Sequence, residues 1–166
     1  MLFRSSKIHP IAVTIAIKVY GQGRGIKGDG VWTPSQKILE AMETTFKLAF
    51  KNVDPTNKNY VIGLDISGSM SSMANMNIPM TCRELSSTFA WLINEIEPNC
   101  LIVAFNNGFK VLTPNQYKSI SSMMKVGWEG GMTDCAQPIL YATEKSVDAD
   151  VFVIITDNEK IGRAHV

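Results

Sequence analysis

Asp65, Ser67 and Ser69 stand at alternate positions directly after an apolar run, Tyr60-Val61-Ile62-Gly63-Leu64. A carboxylate and two hydroxyls on one turn can converge on a hard divalent cation such as Mg²⁺, which takes oxygen ligands. The same residue types also cap helices, because their oxygens accept from the free N–H groups of a first turn. Two later stretches offer partners. Gly130-Gly131-Met132-Thr133-Asp134 is a glycine-rich loop entering a helical pattern, and Val151-Phe152-Val153-Ile154-Ile155-Thr156-Asp157 is a second apolar run ending in a carboxylate. If the three turns share one sheet edge, the candidate metal set is Asp65, Ser67, Ser69, Thr133 and Asp157, with Mg²⁺ the expected ion. No catalytic residue is assigned. His9 and His165 are remote from these motifs, Ser67 and Ser69 lie in no G-x-S-x-G elbow, and Glu159 reads as a solvated loop residue.

The elements that must position this set read as follows. Apolar runs without alternation suit strands buried on both faces of a parallel sheet, and such sheets bind ligands beyond their carboxyl ends. Strands are predicted at 60–64, 100–105, 109–112 and 151–155. Asn107-Gly108 signals a tight hairpin between the second and third. Residues 71–79 show no period and are expected to be irregular. Leu85, Thr88, Phe89, Leu92, Ile93 and Ile96 mark a helix ending near Pro98. Thr113-Pro114-Asn115-Gln116 reads as a capping box opening a helix through Tyr117, Ile120, Met123 and Met124. Trp128 precedes the glycine loop, after which Thr133 or Asp134 caps a helix carrying Ile139, Leu140, Thr143 and Val147. The expectation is an α/β fold: a doubly wound, mostly parallel sheet with one antiparallel edge hairpin. Strand order 3-2-1-4 would set Asp65 beside Asp157. The fourth strand is expected to be an exposed edge, and the chain, stopping nine residues past Asp157, a marginally stable C-terminal truncation.

Residues 1–58 read as a separate helical pair and linker, and 59–166 as the sheet domain. Ile8, Ile11, Ala12, Ile15, Ala16 and Val19 recur at helical spacing and predict a helix over about 8–20. Ile38, Leu39, Met42, Phe46, Ala49 and Phe50 line a second, with Thr33-Pro34-Ser35-Gln36 as its capping box and Trp32 assigned to the core. The loop between them contains Gly23-Arg24-Gly25-Ile26-Lys27-Gly28, a literal G-x-G-x-x-G. It follows a helix rather than a strand, so a dinucleotide site is rejected. Arg24 and Lys27 remain candidate phosphate contacts. Residues 51–59 are polar and carry Pro55, as a linker does.

Charge is divided along the chain. Residues 1–58 hold nine Lys/Arg and four Asp/Glu, the remainder seven and eleven. The first part suits a polyanion, and the second would not attract one without its metal. The three cysteines, Cys82, Cys100 and Cys135, show no Cys-x-x-Cys spacing. Reduced thiols and a cytoplasmic setting are expected. No apolar run approaches the roughly 20 residues of a membrane span, and Met1-Leu2-Phe3-Arg4 is no signal core.

Together, residues 60–70, Gly130-Gly131-Met132-Thr133-Asp134 and 150–159 resemble a von Willebrand factor A domain with its metal-ion-dependent adhesion site. They are most similar to that of the Ro (SS-A) ribonucleoprotein autoantigen, or TROVE-domain, family. Upstream, His9-Pro10, the 23–32 loop, Ile38-Leu39-Glu40-Ala41 and Val53-Asp54-Pro55-Thr56 resemble the last repeat of that family's helical ring. The resemblance runs from about His9 onward. It implies a noncatalytic, cytoplasmic ribonucleoprotein component that binds small noncoding Y RNAs and misfolded RNAs. It assigns Asp65, Ser67, Ser69, Thr133 and Asp157 to the metal and implies a fragment lacking most of the ring and the end of the A domain. A monomer without membrane contact is expected. The alternative is an adhesion module of the integrin inserted-domain type, gripping an acidic group of a protein partner; the metal site alone does not exclude it, while the reduced thiols and the basic helix pair weigh against an extracellular version. A metal-assisted hydrolase is the third class, and it lacks a nucleophile with a base.

Overall fold

The computed structural model describes residues 10–50, 53–75, 78–126 and 130–157. Ile8, His9, Lys51, Asn52, Trp128, Asn158, Glu159 and His165 lie outside the described residues. The chain divides into two compact units, with the boundary between Val53 and Asp54.

The first unit holds α1 (Pro10–Gly21) and α2 (Gln36–Ala49). In α1 the buried residues are Thr14 and Ile17, while Ala12 and Ala16 are exposed. The helix is apolar nearly all round, so periodicity does not select a side. In α2 Phe46 is buried and tilts against Phe50, whereas Ile38 is 47% exposed. Thr33 does not cap α2. The helix starts after Ser35, whose backbone N–H donates to the Tyr20 hydroxyl at 3.0 Å. Trp32 is not core either. It stacks on Tyr20, donates its indole N–H to the Tyr20 carbonyl and stays part-exposed. Between the helices a bridge of Arg24 with Val31 folds the glycine loop back on itself.

The second unit is built on a four-stranded sheet of order β5-β4-β1-β6. Its strands are β1 (Asn59–Asp65), β4 (Asn99–Phe105), β5 (Phe109–Val111) and β6 (Val151–Ile155). β1 runs parallel to both β4 and β6, and β4 pairs with β5 antiparallel. This is the expected mixed sheet in the expected order. Val61, Ile62, Leu64, Ile102, Val103, Ala104 and Phe105 are all buried. Burial on both faces is why these stretches read as continuous apolar runs.

Residues 71–79 depart from the irregular segment expected of them. A 3₁₀ turn (Gly68–Ser71) leads into an antiparallel hairpin of β2 (Met73–Asn75) and β3 (Ile78–Thr81). α3 (Cys82–Ile96) then opens on a capping box of Thr81 and Glu84. Its buried residues are Ser86, Ser87, Thr88, Ala90 and Trp91, and Phe89 is 42% exposed rather than core. Ser86 and Thr88 stay hydrogen-bonded by donating to the carbonyls of Cys82 and Glu84.

The helix expected through Met124 splits into α4 (Pro114–Tyr117) and α5 (Ile120–Met123). The Thr113 capping box forms as read, but Ser119 is extended (φ −149) and caps a second start by accepting from Ser122 N. α6 (Gln137–Glu144) follows the glycine loop, and Pro138 packs over Gly63 of β1. Among the described residues no helix is long and apolar enough to cross a membrane.

Candidate functional site

β1 and β6 are parallel neighbours, with Leu64 opposite Ile155. Asp65 and Asp157 therefore leave the sheet at the same edge, on adjacent strands. Asp65 is 1% exposed and its carboxylate is the centre of the site. Oδ1 accepts from Ser67 N at 2.8 Å. Oδ2 accepts from the hydroxyls of Thr156 at 2.5 Å and Thr133 at 3.4 Å. The Ser67 and Ser69 hydroxyls lie 3.2 Å apart, and Ser67 is buried. Two turns thus bring four of the five expected residues together, Asp65, Ser67, Ser69 and Thr133, and a third adds Thr156. Asp157 is half-buried next to them, and its carbonyl is 3.3 Å from the Thr156 hydroxyl.

Neither Thr133 nor Asp134 caps α6: Ala136 stands at the N-cap, without a side-chain cap, and Asp134 instead braces the turn that precedes the helix. Asp134 Oδ1 accepts from Ala136 N at 3.1 Å and Oδ2 from the Gln137 side chain at 2.8 Å. Thr156 was absent from the expected set; as the residue before Asp157 it reads as the end of an apolar strand. Its hydroxyl is nevertheless the shortest contact to Asp65. Threonine at the last position of a strand beside a strand-terminal aspartate is the signal that would have found it.

The loops are also tied to one another. Gly68 N donates to Gly131 O at 3.2 Å, and Asp134 N donates to Asn106 O at 3.2 Å. Gly130 (φ +67) and Gly131 (φ +97) adopt the left-handed conformations that glycine tolerates. A Cβ on Gly131 would stand 2.4 Å from Asn107 Oδ1.

Burial raises the Cys135 thiol above its ordinary pKa, and the charges of Asp65 and Asp134 add to this, while a hydrogen bond with the Thr156 side chain opposes it. The three cysteines are free thiols.

The donor set is chemically suited to a hard cation. The five expected residues offer oxygen atoms: one buried carboxylate, three neutral hydroxyls, and a second carboxylate just past the end of the neighbouring strand. Among the described residues no cluster of three or more His, Cys, Asp or Glu side chains is placed to hold a metal, so the candidate set relies on hydroxyls to complete what Asp65 and Asp157 begin. Arg24 and Lys27 lie in the other unit, exposed on the loop between α1 and α2.

Comparison with known proteins adds relatives to this geometry. Residues 59–165 match the family described as the Ro60 vWA domain. The RNA-binding protein RO60 of Caenorhabditis elegans is 39% identical over 165 residues, which take in 94% of this chain and 24% of that protein. The RNA-binding protein RO60 of Deinococcus radiodurans is 36% identical over 166 residues, 98% of this chain and 31% of that protein. The crystal structure of the Deinococcus radiodurans RO (RSR) protein superimposes with a TM-score of 0.68 over 95% of this chain and 33% of that one. The chain therefore spans a quarter to a third of the length of these relatives.

Proposed function

The chain belongs to the Ro60 vWA domain family, and on that premise we propose that it is a noncatalytic part of a cytoplasmic RNA-binding ribonucleoprotein whose sheet edge holds a divalent cation, Mg²⁺. RNA is the partner by kinship: both relatives named above are RNA-binding proteins, and they match nearly the whole chain. Small noncoding Y RNAs and misfolded RNAs are the class this kinship favours, with RNA quality control as the role. The observation that supports the cation is the convergence of the Thr133 and Thr156 hydroxyls on Asp65 Oδ2 beside the paired Ser67 and Ser69 hydroxyls.

The residues divide the work by charge. Asp65 supplies the buried negative charge, and its Oδ1 stays bound to Ser67 N, which fixes the carboxylate's orientation. Ser67, Ser69 and Thr133 supply neutral oxygens. Asp157, on the adjacent strand, supplies the second carboxylate. Two carboxylates at most balance the ion, so a bound cation offers a Lewis-acidic docking point for an acidic group of a partner. RNA contact falls instead to Arg24, Lys27 and the basic first unit, because the sheet unit is acidic.

The same site would serve an adhesion module that grips a protein's Glu or Asp. Two measurements on the Asp65→Ala variant separate the readings: RNA affinity across a salt series and Mg²⁺-dependent melting. Loss of the Mg²⁺ effect with salt-dependent RNA binding intact supports the proposal. Loss of both together contradicts the division of labour. A Mg²⁺-dependent pull-down of protein that survives nuclease treatment favours adhesion.

A further inference from the structure

We propose that Asn106 is a positioning residue for the cation site, acting through Thr133; the inference rests on the cation reading above. The sequence marks Asn107-Gly108 only as a turn. The structure makes Asn106 a clamp. It is 6% exposed, and both ends of its carboxamide are engaged. Oδ1 accepts from Gly108 N at 2.6 Å, and Nδ2 donates to the Gly130 carbonyl. Its own carbonyl accepts from Asp134 N at 3.2 Å. One residue thus holds the chain on both sides of Thr133, at Gly130 before it and at Asp134 after it.

This segment needs such a clamp. Gly130 and Gly131 both sit at positive φ, and glycine loses more freedom on ordering than any other residue. Unanchored, the loop would carry the Thr133 hydroxyl through many positions. A site works only when its side chains are held near the productive geometry by their supporting hydrogen bonds. The carboxamide fits because it carries an acceptor and a donor at fixed separation. A carboxylate at position 106 keeps the acceptor for Gly108 N but has no proton for the Gly130 carbonyl.

The test uses the full chain with Asn106→Asp, Thr133→Ala and the double variant. Ile102→Val, a buried change on the strand that ends just before Asn106, reports general destabilisation. Mg²⁺ affinity is measured by calorimetry, and amide exchange is measured without metal. Asn106→Asp should weaken Mg²⁺ about tenfold, the size of one lost buried hydrogen bond. It should cost little more in the Thr133→Ala background, because both act on one contact. Without metal, Asn106→Asp should speed exchange at Asp134 and Gly68, and Ile102→Val should not. Additive losses, or unchanged exchange beside intact Mg²⁺ binding by the wild type, overturn the role of Asn106 alone. A wild-type chain that takes up no Mg²⁺ overturns the cation reading itself, and this role with it.

Discussion

Asp65→Asn isolates charge from shape at the centre of the site. Asparagine keeps an oxygen where Oδ1 accepts from Ser67 N and puts an amide nitrogen where Oδ2 meets Thr133 and Thr156. Both hydroxyls can rotate to accept from that amide. Metal-free stability should therefore change by only about 1 kcal/mol, since relief of a buried negative charge offsets any imperfect bond. The response to Mg²⁺ should change completely. At a concentration about 100-fold above its dissociation constant, a ligand stabilises the folded state by about 2.7 kcal/mol. For a unit of this size that is roughly a 10 °C rise in melting temperature, at about 4 °C per kcal/mol. The assay is a thermal melt of the wild type and Asp65→Asn with EDTA and across a MgCl₂ series. The wild type should climb by about 10 °C and then continue only logarithmically, while the variant should stay flat. A variant that climbs in parallel with the wild type would refute the reasoning, because it would move the ion's effect away from Asp65.

Three further outcomes follow from the same structure. Replacing Arg24 and Lys27 with Ala should lower RNA affinity across sequences and reduce the slope of log K against log salt by about 1.4, at roughly 0.7 per single-strand phosphate contact; an unchanged slope in filter binding would remove both residues from the interface. Gly63→Ala should cost about 1–3 kcal/mol by overpacking, because its Cβ would stand 2.8 Å from Pro138 and 3.0 Å from Ile154; urea denaturation measures this. The Cys100 thiol is pushed up to about 11, mainly by burial and secondarily by the Glu97 carboxylate. Its iodoacetamide rate should rise about tenfold per pH unit until roughly that value. Because the folded state holds this proton more tightly, its contribution to stability is complete below pH 9 and is lost as pH climbs toward 11.

The sheet was legible because its physics is written in unbroken apolar runs. Burial on both faces of β1 and β4 demands them, the edge strand β6 keeps an apolar run although it is only partly buried, and the turns that end in Asp65 and Asp157 mark the strand ends. Parallel neighbours then follow from the alternation with helices, and with them the meeting of Asp65, Ser67, Ser69 and Thr133 at one edge. Other features left weaker traces. The β2–β3 hairpin is short and only partly buried, so Met73-Ala74-Asn75 carries no alternation to read. Nothing apolar marks the break between α4 and α5, because Ser119 makes it by hydrogen bonding to the next turn. In α1 an apolar residue stands on nearly every side, and tertiary packing alone chooses Thr14 and Ile17 for burial. Thr156 and Asn106 escaped for a related reason. Their roles depend on which loops lie across from them, and only the folded chain brings positions 65, 106, 130 and 156 together.

The most direct test is a crystal of the full chain soaked in MnCl₂ and measured at the manganese absorption edge. Manganese takes the same oxygen ligands as Mg²⁺ and scatters anomalously. The account predicts one strong anomalous peak within coordination distance of the Ser67, Ser69 and Thr133 hydroxyls and the Asp65 carboxylate. A well-ordered sheet edge with no peak there, or a peak bound only elsewhere, would contradict it.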